Sequence, residues 1–205
     1  ADRRHPVLEH CRVKPTRGMR VPAAQAQSGV DGLTVNDVEQ IGPIVRRGVL
    51  VDVAAHLGVD CLDEGFPIDR GLLQEALSAR GTELRDGDCV LVRTGWQRHW
   101  DSAPEHYTTS PGGVPGVSLD GAEWLMDAGA FLLGADNGTV EVVRPGGFEL
   151  PVHLAALTQR GVYLLENAAL EALAATGETE FVFVCTPLRL RGSSGSPVRP
   201  IALLG

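Results

Sequence analysis

Apolar residues in this chain are grouped in short runs, which glycine, proline, aspartate and asparagine separate from one another. A run of four to eight apolar or β-branched residues between turn signals is typical of a buried strand. We therefore predict that the strongest of these runs form one central sheet. They lie at residues 49–53, 89–93, 131–133 and 181–185, with further strand-like runs at 161–165 and 201–204.

Helical spacing of apolar residues occurs between the strand-like runs. Residues 68–77 have this spacing, with Asp69 as the N-cap, and a second helix at residues 119–128 begins behind Ser118. Strands that alternate with helices and short loops predict an α/β fold. Without a repeat or a linker, residues 1–205 read as a single domain. Shorter helices are predicted at residues 35–41, 154–159 and 170–175.

The composition is that of an ordinary globular protein. Hydrophobic residues make up 43% of the 205 positions and charged residues 21%. The net charge of -8 and the lack of a long Lys/Arg cluster exclude a nucleic-acid-binding or membrane-surface function. No apolar run approaches the roughly 18 residues of a membrane span, and we expect a cytoplasmic location. The four cysteines are scattered without a CxxC motif, so we expect no disulfides.

The candidate chemistry lies in residues 134–166, between two of the apolar runs. His153 stands at the start of a helix-like segment, and Glu166 ends the following strand-like run. A carboxylate at the end of a buried strand needs a partner, and a His thirteen positions upstream could supply it. A His–Glu pair suits either metal binding or acid/base chemistry. A helix-capping His and a Glu bonded to loop amides remain the alternative.

One loop is rich in aromatic side chains. Trp96, His99, Trp100, His106 and Tyr107 follow the run at residues 89–93. Such a loop is suited to substrate selection, with Trp96 and Trp100 as the binding residues. A contact at the edge of the core or between subunits is the alternative interpretation.

Several motifs in this order resemble the cyclase family that includes bacterial kynurenine formamidase and isatin hydrolase. The resemblance covers nearly all of the chain after residue 20. Its central pieces are Pro151-Val152-His153 and Leu164-Leu165-Glu166-Asn167. The other matching pieces are RGVLVD at 47–52, GDCVLVRTG at 87–95, GAD at 134–136 leading to VEVV at 140–143, PLR at 187–189, GSPV at 195–198 and PIA at 200–202.

The resemblance implies a fold, a chemistry and an assembly. The fold is a β-rich α/β domain of the swivelling β/β/α type, in a homo-oligomer. The implied reaction is hydrolysis of an amide or lactam of a small carbonyl compound by water that a divalent metal, zinc or manganese, activates. The family binds its metal through five positions, of which a His and a Glu correspond to His153 and Glu166.

The N-terminal part of the family's metal motif, H-x-G-T-H-x-D-x-x-x-H, departs from the pattern here. Its last His, the acid/base of the family, falls on His10, whereas its Asp falls on Pro6 and its second His on Arg4. The first His falls before residue 1. His5 is then a further ligand candidate, and Arg4 a candidate for binding a substrate carboxylate or enolate. Residues 1–20 are expected to be a divergent or shortened segment, or the chain begins inside an ordinary domain.

Three functions remain open from the sequence. The first is metal-dependent hydrolysis of an amide or lactam, with His10 and Glu166 catalytic and His153, Glu166 and His5 as ligands. The second is a metal-independent cyclase or lyase of secondary metabolism that uses His10, His153 and Glu166 as base, second His and orienting carboxylate. The third is a non-catalytic binding homologue.

Overall fold

The fold is built on a six-stranded sheet. The computed structural model describes residues 27–28, 32–34, 36–147 and 149–205. The sheet has the order β10-β9-β3-β5-β7-β8, in which β3, β5, β7 and β8 are parallel and β9 is antiparallel to both of its neighbours. Two small two-stranded sheets lie outside it, one joining β1 and β2 and the other β4 and β6. The strands are β1 Gln27–Ser28, β2 Gly32–Leu33, β3 Ile44–Asp52, β4 Pro67–Ile68, β5 Cys89–Arg93, β6 Gly116–Val117, β7 Leu132–Ala135, β8 Tyr163–Leu165, β9 Glu180–Cys185 and β10 Ile201–Leu203.

Helices connect the parallel strands, and side chains cap the longest two. The carboxylate of Asp69 accepts from the amide of Leu72 at 2.9 Å, and the hydroxyl of Ser118 accepts from the amide of Gly121 at 3.4 Å. These caps satisfy amides that the first turn leaves free. The helices are α1 Val53–His56, α2 Arg70–Ala79, α3 His99–Ser102, α4 Pro104–Thr109, α5 Leu119–Asp127, α6 Pro151–His153 and α7 Glu171–Ala174, with 3₁₀ turns at Val38–Gln40 and Trp96–Arg98 and a π-helix at Leu154–Arg160.

Two buried clusters cover the two faces of the central strands. Val49 and Val51 of β3 belong to the larger cluster, which the helices α2 and α5 complete. Leu50 of β3 and Phe183 of β9 belong to the smaller cluster on the opposite face. Successive side chains of a strand point to opposite faces, so the uninterrupted apolar runs of β5 and β7 reflect strands that are buried on both sides.

The structure confirms the predicted α/β fold class and its central sheet. It corrects some boundaries. Val53 begins helix α1 rather than ending β3, because the Asp52 carboxylate accepts from the amide of Ala55 at 2.9 Å and caps a helix there. A helix was predicted at residues 35–41, of which the structure describes 36–41, and there only the 3₁₀ turn Val38–Gln40 forms. The segment predicted at 154–159 is a π-helix.

One corner of the sheet presents apolar side chains to solvent. Val182 on β9 is 46% exposed, and its in-register neighbour Leu203 on β10 is 53% exposed. We call this surface the open apolar face. It consists of Val45, Val182, Val184, Ile201 and Leu203, which lie on three adjacent strands.

In the part of the chain that the structure describes, no helix is both long and apolar enough to cross a membrane.

Candidate active site

The candidate site lies at the carboxyl edge of the parallel strands. Thr94 follows β5, Asp136 follows β7 and Glu166 follows β8. In a parallel sheet these ends lie along one edge, where α/β proteins place their ligand sites. The crossover from β7 to β8 carries His153 back to the same edge.

His153 is held between two carboxylates. Its Nδ1 is 2.6 Å from Oε1 of Glu141, and its Nε2 is 3.1 Å from Oε1 of Glu166. The side chain of Glu166 is 38% exposed and that of Glu141 only 1%. The site therefore has a buried end, at Glu141, and an open end, at Glu166.

Glu141 is fixed by the helix that carries His153. Its carboxylate accepts from the amide of Val152 at 2.9 Å and from the amide of His153 at 3.0 Å, in the first turn of α6. Amides in the first turn of a helix point outward and favour a negative charge. Three donors thus compensate for the burial of this carboxylate, which would otherwise be costly.

The two carboxylates change the acidity of the histidine. Its pKa rises from the ordinary 6.5 to about 9, chiefly because of the hydrogen bond with Glu141, then that with Glu166, while burial opposes the rise. The ring is therefore an imidazolium at neutral pH when nothing else competes for Nε2.

A second buried carboxylate ties the ends of two strands together. Asp136 accepts from the amide and the hydroxyl of Thr94, at 2.9 and 2.6 Å, and from the amide of Gly95 at 2.7 Å. Burial raises its pKa to about 6, although these hydrogen bonds favour the charged form. Gly95 has φ of 78°, and a side chain there would collide with the backbone at Asp60 and Cys61.

An open groove of about 740 Å³ extends to the residue after Glu166, although neither His153 nor Glu166 lines it. Asn167, which directly follows Glu166, is part of its wall. Tyr107 donates its hydroxyl to Oδ1 of Asn167 at 2.7 Å, and this fixes the amide at the groove. Other wall residues are Trp100, Ser110, Thr139 and Arg144.

The two tryptophans predicted to bind substrate lie in different surroundings. Trp96 is 1% exposed, and its Nε1 donates to the carbonyl of Tyr107 at 3.1 Å. Trp100 is 52% exposed and lies in the groove wall. Direct contact of Trp96 with a ligand does not fit its burial, because its indole is enclosed beneath the aromatic loop. Trp100 retains access to a ligand.

The described residues include only part of the predicted site. His153 and Glu166 are in contact, as their spacing predicted. Arg4, His5 and His10 lie outside the described residues. Glu141 was missed by the sequence analysis, although a glutamate flanked by Val140 and Val142 is an unusual place for a charge.

The donor set partly fits a divalent metal. A ligating His usually gives its second nitrogen to a carboxylate, and Glu141 fills that place for His153. His153 Nε2 and the Glu166 carboxylate then make two ligands, whereas a water-activating metal uses about three. Within residues 27–28, 32–34, 36–147 and 149–205, no group of three or more His, Cys, Asp or Glu could hold a metal ion. A further ligand would have to come from another part of the chain or from another molecule.

Comparison with known proteins defines the class. A family model described as "Putative cyclase" matches residues 22–142. The chain belongs to this cyclase family, which confirms the resemblance drawn from the motifs. Cyclase-like protein 3 of Oryza sativa subsp. japonica is 36% identical, over 84% of this chain and 67% of the relative. Isatin hydrolase of Roseibium aggregatum is 27% identical, over 71% of this chain and 57% of the relative.

A solved structure supports the fold. The crystal structure of a novel cyclase has a TM-score of 0.78 and 32% identity to this chain, and the match covers 90% of this chain and 63% of that one. The chain thus spans about two thirds of the length of the rice relative and a little over half of isatin hydrolase.

Proposed function

We propose that this chain is a hydrolase that cleaves the C–N bond of an amide or lactam in a small carbonyl compound with activated water. The observation that carries the proposal is the pair of hydrogen bonds between the nitrogens of His153 and the carboxylates of Glu141 and Glu166, at the carboxyl edge of the sheet. Kinship with isatin hydrolase supports the reaction class. A cytoplasmic homo-oligomer with a small-molecule substrate is part of the same proposal.

His153 and Glu166 are the residues that would hold a divalent cation such as zinc or manganese, with His5 as a further ligand. Such a cation would supply Lewis-acid activation of water and of the carbonyl group. Glu141 keeps the imidazole ring in one orientation through Nδ1 and increases the basicity of Nε2.

Glu166 and His10 carry out the proton transfers of the proposed reaction. Oxygen from water adds to the carbonyl carbon, and the proton that this water loses goes to Glu166, whose carboxylate is partly exposed. The C–N bond then breaks, and the nitrogen takes up a proton from His10, which falls on the acid/base of the family motif. Glu166 passes the proton that it took from water to His10, and both groups return to their starting states. The groove holds the rest of the substrate, with Trp100 against its apolar part and Arg144 near any negative charge.

The second candidate is a metal-independent cyclase or lyase. The observation in its favour is the continuous chain of hydrogen bonds from Glu141 through His153 to Glu166. This chain is complete within the described residues and yields an imidazolium with a pKa of about 9. Such a group can donate a proton from Nε2 to a substrate without any further component.

The first experiment is elemental analysis of the purified protein for zinc and manganese, followed by assays on isatin and on a panel of N-formyl aryl amines and lactams. Metal with hydrolysis supports the proposal. Turnover without metal, retained after chelation, supports the second candidate. Absence of turnover with every substrate class, together with binding in the groove, supports the non-catalytic homologue.

The matched variants are Glu166→Gln and Glu75→Gln. We expect Glu166→Gln to lower turnover by about a hundredfold or more, the usual scale for losing an acid/base group. Glu75 lies on α2 with its side chain 72% exposed, so its replacement should leave turnover unchanged. Equal turnover of the two variants would contradict the assignment of Glu166.

A further inference from the structure

Both carboxylates that hold His153 stand beside a residue with an unusual backbone. Val140, which precedes Glu141, has φ of 61°, and Asn167, which follows Glu166, has φ of 56°. Left-handed conformation is uncommon outside glycine, and for a β-branched residue such as Val140 it is a true outlier. Conformations of this kind persist only where the surrounding structure enforces them, and they cluster at functional sites.

One buried residue, Asn137, contacts both left-handed residues, the first through its side chain and the second through its main chain. The Oδ1 atom of Asn137 accepts from the amide of Val140 at 2.6 Å and from that of Thr139 at 3.3 Å. The backbone carbonyl of Asn137 accepts from the amide of Asn167 at 2.8 Å. Asn137 itself is fully buried, and its Nδ2 donates to the carbonyl of Pro115.

These contacts suit asparagine better than its close relatives. The side chain must accept from two amides at Oδ1 and donate to a carbonyl from the other end. An amide does both at once, whereas a carboxylate only accepts and cannot serve the Pro115 carbonyl. The backbone of Gly116 also packs closely against this side chain, because a Cβ on Gly116 would be 2.7 Å from Nδ2 of Asn137.

We propose that Asn137 is a positioning residue that sets both carboxylates against His153. Its side chain acts through Val140 on the Glu141 side, and its main-chain carbonyl holds Asn167 on the Glu166 side. Replacing the side chain therefore tests the Glu141 side. The role of Asn137 in catalysis rests on the proposed function, whereas its effect on the contacts of His153 can be tested without an activity assay.

The test compares Asn137→Ala with wild type and with Thr82→Ala. Thr82 is also buried, and its hydroxyl bonds to that of Thr179 at 3.0 Å, so it controls for the loss of a buried polar contact. The first readout is the downfield proton resonance of His153 Nδ1–H in metal-free buffer, assigned with a His153→Gln variant. The second is the dissociation constant for Zn²⁺ and Mn²⁺, each added alone, by calorimetry.

We expect Asn137→Ala to shift or abolish the His153 resonance and to weaken metal binding by about tenfold or more, the usual effect of losing an outer partner of a ligand. Thr82→Ala should change neither readout. If Asn137→Ala does not fold, Asn137→Asp keeps the acceptor but lacks the donor to Pro115, and should displace the same resonance.

A resonance and a metal affinity that stay at wild-type values in the folded Asn137 variant would overturn the inference. A wild-type protein that binds neither Zn²⁺ nor Mn²⁺ would count against the metal-dependent function instead. In that case the resonance alone decides the role of Asn137.

Discussion

Replacing Glu141 by glutamine perturbs the site without changing its shape. The carboxylate accepts three hydrogen bonds, from the amides of Val152 and His153 and from the His153 ring. A glutamine amide can accept at one oxygen only, and its NH₂ group would face a donor. The variant also removes the main cause of the raised pKa of His153, which we expect to fall towards 6.5.

The contribution of the His153 contacts to the free energy of unfolding follows from that pKa. A rise from 6.5 to about 9 corresponds to at most about 3 kcal/mol, at 1.36 kcal/mol per pKa unit. The His153 side chain is 23% exposed, so solvent screening reduces this to about 2 kcal/mol. Because the pKa is raised in the folded state, the stabilisation is complete below pH 6.5 and is lost as the pH rises through about 9.

The assay is urea unfolding of wild type and Glu141→Gln at pH 6, 7.5 and 9, with a chelator present so that no metal competes for Nε2. We expect wild type to lose about 2 kcal/mol of unfolding free energy across this range, and the variant, which keeps the hydrogen bond between His153 and Glu166, to lose less. The titration of the His153 ring, followed by NMR, should move to lower pH in the variant. Identical pH profiles for the two proteins would refute the assignment of Glu141 as the partner of His153.

Two other predictions concern the scaffold. Arg93 forms ion pairs with Asp52 at 2.8 Å and with Glu171 at 2.9 Å. Arg93→Met should therefore lower the unfolding free energy by about 2–3 kcal/mol in the same urea assay. Arg189 is exposed, so the control variant Arg189→Met should change the unfolding free energy little. The open apolar face should be covered by another copy of the chain, so light scattering should show an oligomer and Val182→Asp should shift it towards the monomer. A wild-type monomer at micromolar concentration would contradict this assembly.

The sheet could be predicted from the sequence because its strands are apolar throughout. The run at residues 89–93 forms a strand that is buried on both faces, and the run at 181–185 forms a strand whose Val182 side is exposed. The order of the strands could not be predicted in the same way. β9 lies beside β3 through antiparallel pairing, although most of the chain separates them, and long-range pairing of this kind leaves no local signal.

Residues of the site could be predicted from the sequence only where their separation along the chain suggested a contact. His153 and Glu166 were paired because one begins a helix-like segment and the other ends a strand. Glu141 and Asn137 lie in an irregular segment between β7 and α6, which has no periodicity to place a side chain. Their roles depend on burial and on backbone conformation, and neither can be read from residue type alone.

The π-helix that follows His153 affects how many residues separate His153 from Glu166 along the chain. Each hydrogen-bonded turn of a π-helix contains one residue more than a turn of an α-helix, so the segment Leu154–Arg160 accommodates an insertion without lengthening the path. Removing a single exposed position there, such as Thr158, would let the turn relax to α-helix while its two ends stay in place. The separation of thirteen positions between the His and the Glu is therefore not a constant of the site. In a relative without the π-turn, the equivalent pair should stand one residue closer in sequence, and an alignment that forbids a gap between them would miss it.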